Sequence, residues 1–166
     1  MAASSAAATD VRTSERELVI ARVFDAPREL LFDAWTERRH LECWWGPDGF
    51  RTTTHEIAVR PGGVWRFTMH APDGTDFGNT IVFVEIVRPE RLVYRHAGEG
   101  ETADVRFETT ITFEAQGRKT LLTMRSLFES PSVMNRVVEK YGAVEGGKQH
   151  LARLAEFVAG LGGEAR

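Results

Sequence analysis

The sequence holds one cysteine, Cys43, in 166 residues. A single cysteine excludes an internal disulfide and fits a reducing cytoplasm, where we expect this chain to reside. Beside Trp44 and Trp45, Cys43 reads as a small buried hydrophobe, and no sequence pattern supplies it with a base. No stretch is long and apolar enough to cross a bilayer as a helix, so membrane insertion is not expected. The opening residues, Met-Ala-Ala-Ser-Ser-Ala-Ala-Ala-Thr-Asp, lack both a basic segment and a run of large apolar side chains. They do not read as a signal peptide. Residues 1–14 read as a flexible leader and residues 15–162 as one domain. Net charge is only −3, and the arginines are scattered, so nothing draws the chain to nucleic acid. Catalytic signatures are missing too: there is no Gly-x-Ser-x-Gly elbow, Walker loop, dinucleotide fingerprint or His-Glu-x-x-His. The five histidines (His40, His55, His70, His96, His150) show no metal-ligand spacing, and no metal or cofactor is expected.

What is present is an ordinary globular composition, 42% hydrophobic and 27% charged, enough to build one buried core. Glu17 to Phe24 is rich in β-branched and aromatic residues and reads as a strand. Asp25-Ala26-Pro27 stops it, with Asp25 as N-cap of a helix that places Leu30, Leu31, Ala34 and Trp35 on one side. Thr36 is the expected cap of a second short helix, Glu37 to Trp44. From Arg51 to Phe128 the period changes to two. Strands are predicted near 52–59, 64–70, 78–87, 91–96, 105–115 and 120–128, joined by short links that only antiparallel neighbours accept. Trp65, Phe67 and Met69 share one face, opposite Arg66, Thr68 and His70. Phe107, Thr109, Ile111 and Phe113 form another such set. Ile81 to Val87 is nearly all apolar, which predicts cover on both faces by a helix or by a partner subunit, so this strand would also serve a homodimer.

Ser130 and Pro131 open a final amphipathic helix carrying Met134, Val137, Val138, Tyr141, Leu151, Leu154 and Val158 at helical spacing. Gly142, Gly146 and Gly147 interrupt it, which predicts a break in the backbone or something packed close against it. The fold class is therefore α+β: a curved antiparallel sheet wrapped around a long C-terminal helix, with two short helices after the first strand.

Several segments together resemble one family. These are Phe24-Asp25-Ala26-Pro27-Arg28-Glu29-Leu30-Leu31-Phe32-Asp33-Ala34-Trp35, Trp44-Trp45-Gly46-Pro47, Gly62-Gly63-Val64-Trp65-Arg66-Phe67, Met69-His70-Ala71-Pro72-Asp73-Gly74 and Pro89-Glu90-Arg91-Leu92-Val93-Tyr94. The pattern is similar to activator-of-heat-shock-protein-90-ATPase homologue-like domains, within the START and birch-pollen-allergen-like (SRPBCC) superfamily. The resemblance implies a helix-grip fold with a cavity between sheet and helix, often used for hydrophobic ligands. It also marks a departure: a glycine of Gly146-Gly147 stands where the family often carries tryptophan, which implies a wider cavity there.

The candidate lining is the aromatic and methionine set Trp44, Trp45, Trp65, Phe67, Met69, Phe77, Phe83, Tyr94, Phe107, Met124, Met134 and Tyr141, with His96 and Ile111. Pockets for small molecules are mostly apolar with a few placed polar groups, and methionine adapts to irregular shapes. His70 and His96 end two strands at one rim and are candidates for a polar contact. Arg66, Arg95, Arg125 and Glu85 are candidate anchors, although a solvated face suits each of them better. The function expected first is binding of a small hydrophobic or amphipathic molecule. A cyclase or hydrolase using the same cavity, and an interaction protein that modulates a chaperone, are the alternatives. The sequence shows no acid–base pair for the former and nothing that specifies a chaperone for the latter.

Overall fold

The computed structural model describes residues 9–100, 103 and 105–164. The period-two segments become eight strands: β1 (Asp10–Thr13), β2 (Glu17–Phe24), β3 (Arg51–Ile57), β4 (Val64–His70), β5 (Asp76–Val87), β6 (Arg91–Gly98), β7 (Arg106–Gln116) and β8 (Lys119–Phe128). All pair antiparallel in one sheet of order β1-β2-β8-β7-β6-β5-β4-β3. Strands β3 to β8 form a meander, and the N-terminal hairpin returns to pair with β8. Strand β1 lies within the stretch that reads as leader; residues 1–8 fall outside the described residues.

Alternation places the inner face as the sequence suggests. Trp65, Phe67, Ile111 and Phe113 are buried, while Arg66, Arg106 and Glu114 are exposed. Strand β5 is covered differently on its two faces. Its inner residues Ile81 and Phe83 are buried, but a bulge between Phe83 and Glu85 shifts the register. Val84 and Val87 are then 38% and 42% exposed, so within this chain only one face of the apolar run is covered. The turn into β4 depends on Gly63, where any Cβ would collide with the Ala58 carbonyl oxygen.

Helices α1 (Arg28–Thr36) and α2 (Arg38–Trp44) cover one end of the inner face. They bury Leu31, Phe32, Ala34, Trp35, Leu41 and Trp44. Full burial of such side chains contributes about 1.5–3 kcal/mol each, which is what holds these short helices down. Their caps differ from expectation. Pro27 rather than Asp25 occupies the first cap, with no side-chain bond. Glu37 precedes α2, while the Thr36 hydroxyl donates to the Phe32 carbonyl 2.9 Å away. Cys43 is exposed, not buried, because it points away from the face that carries Leu41 and Trp44; its thiol donates to the Arg39 carbonyl.

The C-terminal helix is two helices. In α3 (Pro131–Tyr141) the Ser130 hydroxyl accepts from the Val133 N–H, and Pro131 fills the first turn. Gly142 then adopts φ 61° and ψ 43°, the left-handed cap that ends a helix. Helix α4 (Ala143–Glu164) follows at once and lays Leu151, Leu154 and Val158 into the core.

Candidate functional site

Helix α4 begins Ala143-Val144-Glu145-Gly146-Gly147, so its first turns bring little side-chain volume to the sheet. Gly147 lies so close to β2 that a Cβ there would collide with Ile20 Cδ1, and it would stand 3.6 Å from Met124 Cε. Backbone approaches sheet at this point, but the volume beside it stays empty. An open cavity of about 270 Å³ lies between the first turns of α4, α3 and the inner face of β2, β6, β7 and β8. A second compartment of about 210 Å³ adjoins it, sharing Pro47, Met69, His96, Phe107, Val137 and Tyr141. No aspartate, glutamate, lysine or arginine is among the residues lining either compartment.

The rim is formed by the loop after α2, which α4 fastens through one of its faces. Arg153 Nη1 donates to the carbonyls of Trp45, Gly46 and Pro47 at 3.2, 3.0 and 2.8 Å. Gln149 Oε1 accepts from the Asp48 N–H, and His150 Nδ1 accepts from the Gly46 N–H, both at 3.0 Å. Gly46 takes φ 100°, a conformation that only glycine adopts readily. The loop therefore places Trp45 and Pro47 on the cavity wall.

Polar groups on the wall are few, and their partners are defined. The His150 ring lies against Trp45, Trp44 and Trp35, with centroids at 4.5, 4.8 and 5.6 Å. His96 lies between Phe107 and Phe67, at 4.8 and 5.9 Å, and its Nε2 is 2.9 Å from Asn79 Oδ1. Both rings keep some accessible surface while being enclosed by protein. Burial lowers His96 to about 4. Burial first, then the charge of Arg153 and the neighbouring His96, lowers His150 to about 3. Both are neutral imidazoles at physiological pH. The Tyr94 hydroxyl is raised by burial, against the opposing influence of Trp35 and Thr109 beside it. Trp35 Nε1 is near this hydroxyl yet makes no contact of hydrogen-bond geometry. Thr109 and Ser126 satisfy each other at 3.1 Å.

The structure divides the candidate lining residues. Trp45, Met69, Tyr94, His96, Phe107, Met124 and Tyr141 line the main compartment, and Phe77 lines the second. Trp44, Trp65, Phe67, Phe83, Ile111 and Met134 lie in the filled core and line neither. Arg66, Arg95, Arg125 and Glu85 point to the outer face, in ion pairs with Glu56, Glu108, Glu17 and Arg91. His70 and His96 do not meet: His96 faces the cavity and His70 the opposite side of the sheet.

His150, Pro47, Asn79 and the Thr109–Ser126 pair are among the wall groups that the sequence did not single out as lining. A histidine three residues after a pair of helical glycines, on the face of Leu151 and Leu154, was the available signal for His150.

Outside the cavity, Thr53, His70 and Asp76 form a chain of contacts. His70 Nε2 lies 2.8 Å from Thr53 Oγ1, and Nδ1 lies 2.7 Å from Asp76 Oδ1. The connectivity is that of a hydroxyl–imidazole–carboxylate triad. It sits on the outer face beside a matching His55–Thr68 contact, and these residues line none of the cavities described. Exposed and spanning β3, β4 and β5, it reads as a cross-strand ladder. Among the described residues no cluster of side chains is arranged to hold a metal ion.

Comparison with known proteins agrees with this architecture. A protein from Arthrobacter aurescens, solved by solution NMR, superposes with a TM-score of 0.85 at 25% identity, over 90% of this chain and 91% of that one. Protein Ms6760 from Mycobacterium smegmatis gives 0.83 at 22% identity, over 92% and 98%. A protein from Silicibacter pomeroyi described as AHSA1 gives 0.68 at 20% identity, over 86% and 97%. No curated protein matches the chain. The sequence profile described as Activator of Hsp90 ATPase homolog 1-like protein matches residues 25–159. The chain, with its sheet gripping a C-terminal helix and a cavity between them, belongs to the Activator of Hsp90 ATPase homolog 1-like family.

Proposed function

We propose that this protein binds a small hydrophobic or amphipathic molecule in the cavity between the sheet and helix α4. The observation that carries the reading is the uncharged, largely apolar cavity of about 270 Å³, bordered by Gly146 and Gly147 at the start of α4. The family's fold is generally a ligand-binding one. Excluding apolar ligand surface from water contributes about 25 cal/mol per Å², and the wall offers a long list of carbon atoms for it. Acid–base catalysis in the same cavity is less well supported. His96 and His150, at about 4 and about 3, are weak bases at neutral pH, and no carboxylate lines the wall. A surface for a chaperone partner is also less well supported, because the exposed large apolar residues among the described ones are few: Val59, the β5 residues Val84 and Val87, and Tyr141.

A thermal-shift screen against lipophilic small molecules, with native mass spectrometry for co-purified ligand, tests the reading. At a hundred times Kd, a ligand specific for the folded state contributes about 2.7 kcal/mol and raises Tm by roughly 5–10 °C. Gly146→Trp, whose Cβ meets only Pro47 Cγ at 3.6 Å, projects an indole from the cavity wall and is expected to abolish that shift. No shift with any chemotype and no co-purified mass would remove the support for binding.

A further inference from the structure

The two cavity histidines have defined and opposite hydrogen-bonding roles. At His150 the Gly46 N–H donates to Nδ1 at 3.0 Å, so Nδ1 carries the lone pair and the ring proton is on Nε2. At His96 the assignment runs through Asn79. Its Nδ2 donates to the Phe77 carbonyl at 3.0 Å, which turns Oδ1 towards His96 Nε2 at 2.9 Å. A carbonyl oxygen accepts, so His96 Nε2 carries the proton and Nδ1 keeps the lone pair. The depressed basicity of both rings agrees with these neutral tautomers. His150 Nε2–H and His96 Nδ1 have no protein partner among the described residues, and both rings line one cavity. Of the two free ring nitrogens on the wall, one is therefore a donor and the other an acceptor. The wall presents no charge, because the nearby Arg153 is turned to the carbonyls of Trp45, Gly46 and Pro47.

We propose that the ligand is an uncharged molecule whose apolar body carries both a carbonyl-type acceptor, taken by His150 Nε2–H, and a hydroxyl-type donor, taken by His96 Nδ1. The proposal rests on the ligand-binding reading above and narrows it to neutral hydroxy-carbonyl compounds. An ionised carboxylate or amine in this cavity would be desolvated without a counter-charge, which costs several kcal/mol. A hydrocarbon would leave the unpaired N–H and lone pair desolvated, and each is expensive to abandon.

The test is a set of naphthalenes measured against the native protein by isothermal titration: naphthalene, 2-naphthol, 2-acetonaphthone, the isomeric hydroxy-2-acetonaphthones and 6-hydroxy-2-naphthoate. The best hydroxy-acetonaphthone isomer is expected to bind about tenfold tighter than either single-function compound, and the naphthoate to bind weaker than that isomer by at least about tenfold. His150→Phe should erase the advantage of the acetyl group alone, and His96→Phe that of the hydroxyl alone. Should either variant fail to fold, the ranking on the native protein decides by itself. Saturable binding in which naphthalene equals the hydroxy-ketones, or in which the naphthoate is tightest, overturns this proposal and leaves ligand binding standing. No saturable binding by any of these compounds overturns this proposal, and the thermal-shift screen with native mass spectrometry then decides the broader ligand-binding reading.

Discussion

One end of the concave sheet face lies under rings and the other under glycine. Beneath α1 and α2, Trp35, Trp44, Trp65 and Phe113 are each 1% exposed, and Trp35 touches Trp44, Trp45, Phe113 and His150 edge-on. Beneath the start of α4, the same inward alternation delivers Met69, Phe107 and Met124, which remain only partly buried around a void. The strands supply an apolar face in both places. Whether that face becomes core or cavity is decided by what the covering helix carries.

Truncating one side chain at each end separates core from cavity most strongly. Trp35→Ala is expected to lower stability by about 3–5 kcal/mol in urea unfolding, because a ring is removed from a closed cluster. Met124→Ala, already facing open volume, should cost only about 1 kcal/mol. Equal losses would mean that the two ends are packed alike.

The histidines at the border give a prediction of intermediate size. The unfolded chain takes up protons near the ordinary histidine value of 6.5, whereas the folded protein holds His96 neutral to about 4 and His150 to about 3. Stability from these groups is thus present above pH 6.5 and is lost as pH falls towards the folded values. Each histidine is expected to contribute a loss of about 1 kcal/mol between pH 7.5 and 5.5. Urea unfolding across that range, compared with His96→Gln and His150→Gln, isolates the part that belongs to them. Unchanged pH slopes in both variants would show the rings to be solvated.

Gly147→Ala is expected to change stability least. Replacing a helical glycine stabilises by roughly 1 kcal/mol, while the new methyl displaces the end of Ile20. Net stability should change by less than about 1 kcal/mol, yet ligand binding should weaken, since Ile20 lines the cavity and yields into it. A large stability loss with binding intact would contradict the idea that space is available there.

The strands and their facing were legible because a two-residue period with one buried face admits one register. Residues 64–70 were delimited as they occur, and the inward assignment of Trp65, Phe67, Ile111 and Phe113 matches their burial. The glycines of the last helix were legible as a break or a close approach, and they are both: Gly142 ends α3 and Gly147 abuts Ile20. Four residues at the N-terminus were not legible as a strand, because Asp10–Thr13 has little apolar character and is held by pairing with β2. The division of the aromatic set into wall and core was not legible either. Trp44 and Trp45 are adjacent in sequence, yet only Trp45 lines the cavity, because α2 ends between them and the loop beyond is fastened by Arg153. His150 acquires its role from Gly46, a hundred residues away along the chain, and no local pattern records such a contact.

The bulge at Thr54 to Glu56 lies in β3, which is an edge of the sheet, and the opposite edge is the four-residue β1. A shortened edge and a kinked one both present poor templates for further strand pairing. Growth of the sheet into fibres or edge-to-edge dimers is therefore disfavoured at both ends. Self-association through the outer sheet face or the helices meets no such obstacle.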